Sequence, residues 1–278
     1  MSTDVTRDFA FGLPKAELHL HLEGTLEPDL KLALARKNGV DIGQSTVEEV
    51  QATYQFNDLT SFLAVYYPAM DVLQDEDDFH DLAAAYFERA RANGVVRAEC
   101  FFDPQAHTSR GIAIETVIRG YHRAVVEARE AGLSADLILC FLRDMSAQSA
   151  LETLQAALPY KDMFIGVGLD SDERDNPPTK FAEVFALARE AGLHVTMHCD
   201  IDQVGSIDNI RAALIELGAE RLDHGTNIVE DPELVAYARD HGIGLTSCPL
   251  SNSFVTEEMK GKEIVELTAA GVKVSVNS

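Results

Sequence analysis

Residues 180–199 read Lys180-Phe-Ala-Glu-Val-Phe-Ala-Leu-Ala-Arg-Glu-Ala-Gly192-Leu-His194-Val-Thr-Met-His198-Cys199. Phe181, Val184, Phe185 and Ala188 recur at helical spacing, with Glu183, Arg189 and Glu190 off that stripe. The pattern predicts an amphipathic helix over Lys180–Ala191. Gly192 ends it, because the residue that closes a helix takes a left-handed conformation that glycine adopts without a Cβ clash. The run His194–His198 that follows has strand character.

Working outward, the same cadence repeats. Helical stretches at Asp208–Leu217, Glu233–His241 and Glu263–Ala270 stop at Gly218, Gly242 and Gly271, and Asn93-Gly94 and Ala131-Gly132 mark two more stops. Strands are predicted over Ala16–His21, Val95–Phe102, Leu137–Leu142, Phe164–Leu169, His194–His198, Arg221–His224, Ile243–Cys248 and Val272–Asn277. Several are apolar nearly throughout, as strands covered on both faces are. Alternating strands and helices define the α/β class, and eight such units favour a closed (β/α)8 TIM-type barrel. An open doubly wound sheet would carry a glycine-rich phosphate loop after its first strand; here that strand ends in His19-Leu-His21, with only Gly24 nearby. The stretch Thr25–Asn93 reads as helices inserted after strand one, placed to cap the barrel mouth. One domain, 1-278, is expected.

The charge balance limits the partners. A formal net charge of −23 is unsuited to nucleic acid, which binds through cations meeting phosphates, and is repelled by anionic membranes. The chain can bury a full core without a staple, so a bound ion would serve chemistry. Cys100, Cys140, Cys199 and Cys248 are widely spaced and form no CxxC clip, which points to a reduced, cytoplasmic chain. Met1–Gly12 lacks the basic and apolar regions of a signal peptide, and no apolar run approaches the roughly 20 residues of a membrane span.

Barrel chemistry gathers at the C-terminal strand ends, and there this sequence places Glu23, Asp103, Asp170, Ser171, His198, Asp200, Asp223 and His224. Residues i and i+2 of a strand share a face, so His19 and His21 point together into the barrel and can chelate one divalent ion. His198 is the third candidate ligand. Zinc suits such a set and keeps a position for water; iron (Fe2+) or manganese (Mn2+) would also fit imidazoles. His224, between Asp223 and Gly225, is placed beside the reacting water as general base. His80 and His122 fall on helices and are expected to face solvent, and His107 is left open.

Pro14-Lys-Ala-Glu-Leu-His19-Leu-His21-Leu-Glu23-Gly24-Thr25 resembles the first-strand signature of the adenosine/adenine deaminase family, in the amidohydrolase superfamily. Asp223-His224-Gly225 and Cys248-Pro249-Leu250-Ser251-Asn252 resemble its sixth- and seventh-strand motifs. Phe101-Phe102-Asp103-Pro104-Gln105 and Gly166-Val-Gly-Leu-Asp170-Ser171 look most like the adenine deaminase branch. The resemblance implies zinc-dependent hydrolytic deamination of a small 6-aminopurine, adenine or adenosine. It also implies that Glu23 shapes the pocket and that Asp103, Asp170 and Ser171 contact the purine.

Two departures stand out. Where the family reads His-Ala-Gly-Glu, this chain reads His198-Cys199-Asp200-Ile201, so the proton donor to the ring falls to Asp200 or Asp202 in a redrawn loop. An ångström of misplacement there can cost about 10²-fold in rate. The chain also stops at Ser278, just before two aspartates that the family carries, the first a metal ligand, and before the eighth helix; a longer native chain is expected. The altered loop leaves open a related metal hydrolase acting on another aminopurine or N-heterocycle, and a purine-binding homologue with a degraded site.

Overall fold

The computed structural model describes residues 3–56, 58–199, 204–255 and 258–277. Eight parallel strands lie side by side in chain order. They are β1 (Lys15–His21), β2 (Val95–Phe102), β3 (Ser134–Leu142), β4 (Gly166–Asp170), β5 (His194–Cys199), β6 (Arg221–His224), β7 (Gly244–Ser247) and β8 (Lys273–Val276). Across the last seam a side chain stands in for the ladder: Leu18 N–H of β1 donates to Asn277 Oδ1, just past β8, at 2.9 Å. The result is the (β/α)8 barrel expected from the cadence.

The predicted strand ends shift in places. β3 starts earlier, at Ser134, and β4 later, at Gly166. β7 stops at Ser247 because Pro249 opens a helix, and proline has its φ preset for that first turn.

A helix the sequence reading did not foresee, α1 (Thr3–Gly12), precedes the barrel. The insertion after β1 holds α2 (Pro28–Asn38), α3 (Val47–Gln51), α4 (Leu59–Ala69) and α5 (Glu76–Ala92). Thr46, Asp58 and Asp75 close capping boxes at the starts of α3, α4 and α5, satisfying backbone donors that have no helical partner. Around the barrel follow α6 (Pro104–Thr108), α7 (Ile114–Glu130), α8 (Ala147–Ala157), α9 (Ala182–Glu190), α10 (Ser206–Arg211), α11 (Pro232–His241), α12 (Pro249–Val255) and α13 (Gly261–Ala269). The expected Asp208–Leu217 helix is α10 plus one wider π turn over Ala212–Glu216. α5 and α7 pack at backbone contact: a Cβ on Gly120 would stand 2.6 Å from both Glu76 O and Phe79 Cβ.

The core has two parts. Between sheet and helices lies a large apolar layer that takes Ala98, Cys100 and Phe102 of β2; a small separate cluster holds Phe101, Ile138 and Cys140. The alternation of β2 turns Arg97, Glu99 and Phe101 the other way, into the barrel. There Glu99 accepts from Arg97 Nη2 at 2.7 Å and from Arg221 Nη1 at 2.6 Å, and Asp223 accepts from Arg221 Nε at 3.0 Å. All four cysteines are buried, and none is in a disulfide. Among the described residues no helix is long and apolar enough to cross a membrane.

Candidate active site

The barrel mouth is where the histidines meet. β1 brings His19 and His21, and β5 brings His198. His224 arrives from β6 in a left-handed conformation, φ 63°, followed by Gly225 at φ 66°. Such backbone is uncommon for a side chain larger than glycine, and here it turns the ring toward the other imidazoles. The ring centroids of His19 lie 4.6 Å from His224 and 4.7 Å from His198. One ligand nitrogen from each of His19, His198 and His224 falls within 4.8 Å of the others.

Three of the rings, His19, His198 and His21, have their Nδ1 directed to a partner behind the site. His19 Nδ1 lies 2.9 Å from Thr246 Oγ1. His198 Nδ1 donates to Leu169 O at 3.1 Å, bridging β4 and β5 where their backbone ladder, paired only at Gly166–His194 and Val167–Val195, has ended. His21 Nδ1 faces Asp170 Oδ2 at 3.4 Å. The Nε2 lone pairs are therefore left for the mouth, and those of His21 and His198 face each other at 3.0 Å. Burial pushes His19 and His198 well below the ordinary imidazole range, helped by the neighbouring rings. It brings His21 down to about 4 and outweighs Asp223 and an Asn252 hydrogen bond in lowering His224. At neutral pH these are uncharged donors without protons between them, which is what a cation needs. Nitrogens sharing one tetrahedral ion through bonds of about 2.0–2.1 Å stand roughly 3.3 Å apart; the His21–His198 pair is near that spacing, but the three imidazoles whose ligand atoms gather are His19, His198 and His224, while His21 groups with Asp103 and Asp170.

A second group borders the first. Asp103, ending β2, and Asp170, ending β4, are buried with His21, one ligand atom of each lying within 4.8 Å of the others. Burial, then the nearby Asp170 and Glu23 carboxylates, drives Asp103 well above the usual carboxyl range. Burial pushes Asp170 up to about 7, although the Asp103 hydrogen bond opposes it. Burial and their mutual charge thus favour a protonated form of the pair over two carboxylates.

Both groups open into a cavity of about 470 Å³ lined by His19, His21, Asp103, Asp170, Ser171, His198 and His224. Its roof is aromatic: Phe62, Tyr66 and Tyr67 from α4, Phe56 before it and Phe254 of α12. The insertion thus caps the mouth, as expected. Ser171 enters the lining at φ 70°, another strained backbone at a strand end.

Glu23 is placed differently from the expectation that it shapes the pocket. It lies behind the lining, its side chain wholly buried, where Oε1 accepts from Asp103 N–H at 3.1 Å, His107 Nε2 at 3.1 Å and Tyr121 OH at 3.0 Å. Burial raises this carboxyl, but His107 and the Asp103 N–H outweigh it and hold it below its usual value. Asp200 and Asp202 lie outside the described residues. His80 is not solvated as expected: it bridges Asp81 at 2.9 Å and Glu127 at 3.0 Å. His122 is half-buried. The sequence reading missed Phe101, whose ring lies 4.9–5.2 Å from His19, His21 and His198 and supports all three. Its signal was the alternation Arg97, Glu99, Phe101 within a strand read as uniformly apolar.

A parallel barrel with imidazoles gathered at its C-terminal mouth is the architecture of an amidohydrolase-type enzyme. The family model described as Adenosine deaminase matches residues 14–278, and the chain belongs to that family of hydrolytic deaminases. It is 51% identical over 269 residues to an adenine deaminase of Geotalea uraniireducens, covering 96% of this chain and 75% of that protein. The crystal structure of adenine deaminase from Arthrobacter aurescens superposes with a TM-score of 0.90 at 45% identity, over 95% of this chain and 81% of that one. An amidohydrolase from Burkholderia ambifaria with bound Zn gives 0.85 at 30% identity, over 100% of this chain and 78% of that one.

Proposed function

We propose that this chain hydrolytically deaminates a 6-aminopurine, with adenine as its substrate, using one zinc ion held by His19, His21 and His198. The observation that carries the reading is the pair of facing Nε2 atoms of His21 and His198, 3.0 Å apart in rings that burial keeps neutral. Identity near 50% to adenine deaminases supports the substrate, and the zinc-bound relative supports the metal. Four buried cysteines outside disulfides are in keeping with a cytoplasmic setting.

A divalent ion at this site supplies Lewis-acid activation of water at neutral pH. The rest falls to the chain. His224, held neutral by burial, stands beside the ligands to take the proton that water gives up and pass it toward the departing amine. Asp103 and Asp170, a buried carboxyl pair with raised proton affinity, offer hydrogen-bonding groups to the polar edge of the purine, with Ser171 next to them. Phe62, Tyr66 and Phe254 cover the ring and exclude water. Protonation of the ring nitrogen is assigned to Asp200 or Asp202; unchanged rates in both Asp→Asn variants would remove that assignment.

The test is an ultraviolet assay on adenine and adenosine, with and without a chelator, alongside metal analysis of the purified protein. Chelator-sensitive turnover of adenine is expected. A protein that keeps full activity after its metal is stripped would refute the proposal, and turnover of adenosine in preference to adenine would refute the substrate.

A further inference from the structure

His19 is steadied through a hydroxyl instead of directly by a carboxylate. Thr246 Oγ1 lies 2.9 Å from His19 Nδ1 and 2.8 Å from Asp223 Oδ1, and neither Thr246 nor Asp223 is more than 1% exposed. A threonine hydroxyl has a single hydrogen to donate. Asp223 accepts on both oxygens, from Arg221 Nε at 3.0 Å on Oδ1 and from Thr196 Oγ1 at 2.6 Å on Oδ2. Thr246 must therefore give its hydrogen to Asp223 and turn a lone pair to His19. Nδ1 of His19 then carries the imidazole proton. Thr246 O, 3.2 Å from the same nitrogen, demands the same tautomer, and Nε2 is left bare toward the mouth.

We propose that Thr246 and Asp223 form a two-link relay that fixes the tautomer and aim of His19 and raises its basicity with the charge of a buried carboxylate. Both are positioning residues, acting on the metal through His19; the inference rests on His19 being a ligand, as argued above. The carbonyl of Thr246 fixes the tautomer but brings no charge. The hydroxyl alone links the ring to Asp223. Partners that orient a metal-binding histidine in this way are commonly worth 10–100-fold in metal affinity.

Three variants test this: Thr246→Val, which keeps the shape and loses the hydroxyl; Thr246→Ser, which keeps the hydroxyl; and Asp223→Asn, which keeps the shape and loses the charge. Each, with native helix content confirmed by circular dichroism, is titrated with zinc ion alone against a chromogenic chelator. Zinc dissociation constants are expected to rise about 10–100-fold for Thr246→Val and Asp223→Asn, and to stay at the wild-type value for Thr246→Ser. Equal affinity in all four proteins overturns the relay. So does a loss in Thr246→Ser as large as that in Thr246→Val, because the methyl group would then matter and not the hydroxyl. Wild-type protein that binds no zinc defeats the metal reading itself, and the relay with it. Should Thr246→Val not fold, Thr246→Ala takes its place, because Asp223 also lies 3.7 Å from His198 Nδ1 and Asp223→Asn alone would not single out His19.

Discussion

Glu23 and His107, 84 residues apart in sequence, meet at 3.1 Å with both side chains wholly out of solvent. Arg110 Nη2 donates to the other ring nitrogen at 2.9 Å, so the His107 proton sits on Nε2 and points at the carboxylate. The turn after β1 is thereby locked to α6, and Asp103 is anchored through its own N–H. This arrangement sits behind the cavity and holds its acidic wall in place.

Removing one partner weakens the hold on the other. His107→Leu takes one of three hydrogen-bond donors from the buried Glu23 carboxylate, and losing a hydrogen bond to a charged group costs about 1.5–3 kcal/mol. Urea denaturation of the variant should show that loss. A midpoint unchanged from wild type would mean that Glu23 reaches water.

The roles proposed above give His224 proton transfer and not metal binding. His224→Gln is expected to retain its zinc while kcat falls about 10²–10⁴-fold, the usual worth of a general acid–base group. Its nearness to His19 and His198 gives the competing result: metal analysis showing loss of zinc would make it a ligand.

The imidazoles predict a pH dependence for the metal-free protein. His21 falls from an ordinary 6.5 to about 4 on folding, so between those values the unfolded chain binds the extra proton. Where the unfolded state holds more protons, stability rises with pH. The apo-protein should therefore lose stability progressively as pH drops from 6.5 toward 4, and His21→Gln should flatten that slope. Parallel melting curves for the two across this window would contradict the burial of His21.

The aromatic roof acts on binding more than on chemistry. Stacking a base on one aromatic ring is worth about 1–3 kcal/mol. Phe62→Ala should then raise KM for the purine roughly 5- to 150-fold with kcat little changed, the mark of binding felt equally in ground and transition states. A fall in kcat at constant KM would place Phe62 nearer the reaction than the cavity suggests.

Packing gives a control far from the mouth. Gly120→Ala puts a methyl 2.6 Å from Glu76 O and Phe79 Cβ, and overpacking of this kind costs about 1–3 kcal/mol. Thermal stability should fall while zinc affinity holds; a Tm equal to wild type would show that α5 and α7 can part without cost.

The barrel was legible because its signals are local. Gly192, Gly218, Gly242 and Gly271 all sit at positive φ in the structure, and a left-handed stop followed by an apolar run can be read from a dozen neighbouring residues. The His19–His21 pair was legible for the same reason, since strand alternation fixes which residues share a face. Residues already at a strand end, such as Asp103 and Asp170, could be placed at the mouth by counting strands.

The unread part depends on distance in space. Nothing near Thr246 announces that it bridges His19 to Asp223, and Glu23, two residues past His21, gave no sign of turning away toward His107 and Tyr121. Local backbone preference determines which strands and helices form and the face each residue takes, and sequence alone supplied that. Closure of the barrel brings strands one, five, six and seven to a common axis, and only that closure decides which side chains meet at the mouth, His19 with His198 and His224, and His21 with Asp103 and Asp170.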